Sequence, residues 1–167
     1  MLAALVGCEE TGPGQPAPFV PEKLAPPAGE HLLATLPAVG VQVYQCRAVK
    51  DKAGQYEWAF VAPEADLFDG HGMKVGRVYA GPHWEALDGS RVMGALKESM
   101  RARSTDAIQW LLLATRSTGP EGAFSKVSSI QRLHTMGGNA PKDGCKQATQ
   151  GATVRVPYSA DYVLFAR

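Results

Sequence analysis

The chain has 167 residues, 45% hydrophobic and 20% charged, the proportions of an ordinary globular domain rather than a disordered one. Its 17 Lys and Arg stand against 16 Asp and Glu, a net charge of +1 that gives no electrostatic case for nucleic acid or an anionic membrane surface. No apolar run approaches the roughly 20 residues of a membrane-spanning helix, and 18 Gly with 12 Pro imply frequent turns and so favour β structure.

The chain begins "MLAALVGCEETGPGQPAP". Leu5-Val6-Gly7-Cys8 resembles a bacterial lipobox, in which small residues let a signal peptidase reach the bond before a cysteine whose thiol carries lipid. On this reading residues 1–8 are a signal remnant, Cys8 is the lipidated residue and residues 9–27 form a flexible Pro-rich tether. The folded domain is then 28–167. A signal peptide also needs a basic stretch and about 7–15 apolar residues. Only seven residues precede Cys8 and none is Lys or Arg, so the expectation places a true start upstream of Met1. Glu9, rather than Asp, follows the cysteine, which points to the outer membrane or the cell surface. Export would in turn make Cys46 and Cys145 a disulfide. They lie 99 positions apart, and a loop of that size is worth about 4–5 kcal/mol in the chain-entropy model.

Beyond the tether, "GVQVYQCRAV" from Gly40 alternates, with Gln42, Tyr44 and Cys46 on one face, and predicts a strand. After a turn at Asp51–Gly54, "QYEWAFVAP" predicts the answering strand, with Tyr56, Trp58 and Phe60 together. "PEADLFDGHG" is expected to be a turn-rich connection. The stretch from Met73 to Gly94 should hold two or three strands. Asp88-Gly89 signals a two-residue hairpin turn that would pair Leu87 with Ser90 and Glu85 with Val92. A strand from Met93 is weighed against two helical turns over Ala95–Arg103 and preferred. "AIQWLLLATRS" predicts a central strand buried on both faces. "GAFSKVSSIQRLHT" predicts a long alternating strand with Ile130, Arg132 and His134 on one side. An irregular loop delivers Cys145, and in the final strand Pro157 marks a bulge or an edge. Some nine or ten short antiparallel strands make an all-β single domain, a β-sandwich or a flattened β-barrel.

Few residues carry recognisable chemistry. His83 and Glu85, two apart on a strand, share a face and could bind a metal or move a proton, while Trp84 faces the other way. The more frequent outcome for such a trio is a core Trp beside a solvated face. The four histidines show no HxH or HxxxH spacing, so a metal site would have to be assembled by folding. There is no GxSxG elbow, no GxGxxG and no P-loop, which removes the motif basis for a serine hydrolase or a nucleotide site. Trp58, Trp84 and Trp110 are candidates to line a ligand cavity, with His83, Glu85 and His134 as further candidate ligand contacts.

Several blocks in order, "GVQVYQC", the run from Trp58 to Leu67, "YAGPHWEALDGS", "IQWLLL", "IQRLHTMGGNAP" and "VPYSADYVLF", resemble a family of secreted bacterial and fungal proteins catalogued as domain of unknown function three-four-five-five. The resemblance spans about Pro21 to Arg167 and implies an exported single domain with no established activity. Where members commonly carry a His before "YAGP", this chain has Arg77. The combined expectation is an uncharacterised envelope lipoprotein that binds a small molecule or a protein, held to the membrane only through Cys8, monomeric and without a cofactor, nucleotide or nucleic acid. The alternative is a hydrolase or metal-dependent enzyme using His83, Glu85, Asp88 and His134.

Overall fold

A computed structural model describes residues 20–167; the lipobox-like start and Cys8 lie outside the described residues. Eight antiparallel strands follow one another around a closed barrel, each hydrogen-bonded to its sequence neighbours, with the last strand returning to the first. They are β1 (His31–Ala48), β2 (Tyr56–Phe68), β3 (Lys74–Tyr79), β4 (His83–Ala86), β5 (Arg91–Met100), β6 (Trp110–Ser117), β7 (Val127–Gly137) and β8 (Thr153–Ala166). The all-β expectation holds in its barrel form, with eight strands in place of nine or ten. The count falls because strands are longer than the alternation alone suggested. β1 begins nine residues before Gly40, and the stretch from Pro63 to Phe68, expected to be a connection, is the second half of β2.

Prolines inside these strands fall where the wall is one-sided. Pro37 pairs with β8 just before β1 meets β2. Pro63 pairs with β1 just above the first rung to β3, and Pro157 pairs with β1 above the last rung to β7. A missing N–H costs least where a strand has a single neighbour. Pro157 is therefore an edge residue, not a bulge: the β1–β8 register runs through it unbroken.

One end of the barrel, here the lower end, is packed solid. Leu36, Leu67, Val92, Ile130 and Leu164 point inward, and Phe124 and Val127 plug the bottom. Each such side chain taken fully from water contributes about 1.5–3 kcal/mol. A second cluster lies outside the wall. Trp110 and Leu112 on β6 and Leu133 on β7 are covered by Leu24, which is 0% exposed. Leu24 ends a 3-10 turn (Glu22–Leu24), and its carbonyl accepts a 2.6 Å hydrogen bond from the Gln131 amide. Residues 20–27, assigned by composition to the tether, thus lie as a strap across the outside of the barrel. The strap is why β6 is buried on both faces, as its apolar run predicted.

At the lower hairpin between β4 and β5 the register differs from the expected one. Trp84 pairs with Val92 and Glu85 with Arg91. The loop is the three residues Leu87-Asp88-Gly89, with Gly89 at φ 85°, a conformation glycine adopts without penalty. A one-residue slip exchanges the faces. The observed register pairs two fully inward side chains, whereas the expected one would have set a carboxylate opposite Val92.

Candidate functional site

Above the packed half the barrel is hollow. The cavity measures about 450 Å³, within the range of small-molecule sites. Its existence follows from unequal strand lengths. β3 and β4 have six and four residues and turn back at 80–82, whereas β2 and β5 continue upward. From Phe60 to Glu64, β2 is paired only to β1; from Ala95 to Met100, β5 is paired only to β6. The wall therefore carries a notch, with the Gly81-Pro82 turn as its sill and Phe60 and Val61, about half exposed, on its rim. Inside, Ile108, Leu111 and Leu113 make an apolar wall.

The floor and far side are polar. Trp84 is 2% exposed, and its indole N–H has no hydrogen-bond partner among the described residues. Gln42, equally buried, has an unpartnered Nε2, although its amide sits close enough to Tyr158 to favour that residue's ionised form. The hydroxyls of Tyr158 and Tyr162 share a hydrogen bond of 3.1 Å. Tyr44 donates 2.6 Å to the Gly138 carbonyl. Burial pushes the phenols of Tyr44 and Tyr158 up, Tyr158 very strongly, so both stay protonated donors. Arg132 is the charged residue of the lining. Its Nε and Nη2 donate to the Gln109 carbonyl at 3.0 and 2.9 Å.

Over the upper rim lies the loop 138–152, which is tied down by a covalent bond and by hydrogen bonds. Cys46 and Cys145 form a disulfide with Cα atoms 5.3 Å apart. The Trp58 indole donates 2.9 Å to the Asp143 carbonyl, and Tyr44 holds Gly138. Asn139 of this loop lines the cavity. The expected disulfide is therefore present, and it fixes the mouth of the cavity.

The residues singled out in sequence separate into different places. Of the three tryptophans Trp84 alone lines the cavity; Trp58 staples the rim loop and Trp110 packs under the strap. His83 lies outside the barrel, stacked on Tyr79 at 5.2 Å with Nδ1 2.7 Å from the Ala80 carbonyl. Glu85 is also outside. It accepts from Tyr79 Oη and Arg77 Nη2, each at 2.8 Å, with Arg91 at 3.7 Å. The Tyr79 hydroxyl and then the Arg77 guanidinium hold its carboxyl below the usual range.

Asp88 closes the lower hairpin. It accepts from Ser90 Oγ and the Ser90 and Ala123 backbone N–H groups, which lower its pKa. His134 has φ 49° at a bulge where the β7–β8 register shifts. The bulge turns it outward from the face predicted for it, to pair with Asp161 at 2.8 Å and stand edge-on to Trp110. Among the described residues no three His, Cys, Asp or Glu side chains converge as a metal would require.

A family model covers residues 27–166, the whole barrel without most of the strap. The chain belongs to the family Protein of unknown function (DUF3455). No curated protein matches it. In this DUF3455 barrel the cavity residues that the sequence did not single out include Gln42, Tyr44, Arg132 and Tyr162. The available signal was a polar residue at an inward position of an alternating strand, as with Gln42 beside Tyr44 in "GVQVYQC".

Proposed function

We propose that this DUF3455 protein is an exported binding protein that holds a small organic molecule in the upper half of its barrel. The observation that supports it is the cavity of about 450 Å³ over a floor with buried, unpartnered N–H groups on Trp84 and Gln42. A buried donor without an acceptor costs about 1–3 kcal/mol, and a ligand acceptor removes that cost. The disulfide at the mouth fits an oxidising compartment. The proposal keeps the lipid anchor on Cys8, with residues between it and the strap as the leash, and a monomeric protein at the envelope.

Binding is tested with N-phenyl-1-naphthylamine, an uncharged dye that brightens in apolar sites. The wild-type barrel binds one equivalent, and Leu111→Trp, which fills the cavity from its apolar wall, abolishes binding while the fold melts cooperatively. Undiminished binding in that variant would refute the cavity as the site. The anchor is tested by the intact mass of the full-length protein expressed in a bacterial host, where a diacylglyceryl adduct on Cys8 is expected and an unmodified thiol overturns it.

A further inference from the structure

The cavity's polar groups have a common character. Trp84 Nε1 and Gln42 Nε2 are unused donors. Arg132 spends two of its N–H groups on the Gln109 carbonyl, and among the described residues it forms no ion pair. No Asp, Glu or Lys belongs to the described lining. Arg132 itself belongs to the lining, beside Gln109. The rest of the lining is largely apolar: Leu111, directly across the β6–β7 ladder from Arg132, Leu113 beyond it, and Phe60 and Val61 on the β2 rim.

Resting on the binding reading above, we infer that the ligand is an amphipathic organic monoanion, its carboxylate or sulfonate on Arg132 and its apolar body between Leu111 and Leu113 on β6 and the Phe60–Val61 rim on β2. A guanidinium facing a confined hollow without a carboxylate partner is a standing cation site, since charge-assisted hydrogen bonds are roughly twice as strong as neutral ones. The donors of Gln42 and Trp84 can take further oxygens of the same head group. The notch gives the ligand its direction: the Phe60 rim is passed first, and the charged end meets the far wall on β7. A cation would sit beside Arg132, a like charge, with no carboxylate in the described lining to balance it.

The test compares two dyes of one skeleton, 8-anilinonaphthalene-1-sulfonate and the uncharged N-phenyl-1-naphthylamine, by fluorescence titration of the intact oxidised protein. The sulfonate is expected to bind at least about 10-fold tighter. Arg132→Gln removes that preference, and its cooperative thermal melt shows that the variant is folded. Arg132→Lys retains most of the preference. Equal affinity for the two dyes in the wild-type protein overturns the anion inference and leaves the binding reading standing. Binding of neither dye overturns both. A sulfonate preference that survives Arg132→Gln places the anion elsewhere and also overturns the inference.

Discussion

The indole of Trp84 meets the ring of Tyr162 edge to face, with centroids 5.5 Å apart and planes at 75°. The two come from β4 and β8, four strands apart around an eight-stranded ring, so their contact spans the barrel's width. Both belong to the packed core and both line the cavity. They form the partition between the solid half and the hollow half. Trp84→Ala is expected to cost about 3–5 kcal/mol, measured as a fall in the urea midpoint at constant m. Trp84→Phe keeps an aromatic edge and removes an N–H that has no partner, so its cost is smaller. Equal costs for the two variants would mean that the N–H is bonded after all.

Gly94 on β5 supports that partition from behind. A Cβ there would stand 2.7 Å from Trp84 Cζ3 and 3.1 Å from Leu113 Cδ2. Gly94→Ala is expected to destabilise by about 1–3 kcal/mol and to push the indole into the cavity. Affinity for N-phenyl-1-naphthylamine should fall in the same variant. A loss of stability with unchanged dye affinity would show that the barrel yields elsewhere.

Replacing Cys46 and Cys145 together by Ser is expected to cost about 2–5 kcal/mol, because the unfolded chain regains a long loop. Limited proteolysis should find new cuts within 138–152, which then keeps only hydrogen bonds, those of Trp58, Tyr44 and the Cys46 backbone among them. A melting temperature unaffected by reductant in the wild-type protein would contradict the bond.

Acid should weaken the barrel partly through Glu85. Its folded pKa lies below its unfolded value, held there by Tyr79 Oη and Arg77. The unfolded chain therefore takes up the proton first as pH falls, and the contribution is full above the unfolded carboxylate range and lost as pH drops through the folded pKa. Asp88, lowered by Ser90 and the Ala123 N–H, acts in the same direction. Urea midpoints should fall from pH 7 toward pH 3, and Glu85→Gln should flatten that fall. A fall as steep in the variant would assign the effect to other carboxylates.

Much of the fold was legible, because each strand's alternation is a local property of the chain. The faces of "GVQVYQC" came out correctly: Gln42, Tyr44 and Cys46 are buried together. The double burial of "WLLL" was legible too, but not what covers its outer face, since Leu24 lies in a Pro-rich stretch that resembles a leash. Two faces were misassigned by single residues. Gly89 makes the lower loop one residue longer than Asp-Gly implies, and the left-handed His134 reverses the end of β7. Both depend on one backbone dihedral that an alternation pattern does not encode. The cavity was the least legible feature. It comes from β3 and β4 stopping short while their neighbours continue, a comparison of lengths between strands that are far apart in the pattern.

The tied rim also sets an order of events. Loop 138–152 comes late in the chain and reaches its place over β1 through a cross-link that a reducing compartment would not sustain. Before oxidation the loop is held by its hydrogen bonds alone. On the proposed reading, an exported protein has its mouth fixed only after Cys46 and Cys145 are joined, so binding follows oxidation.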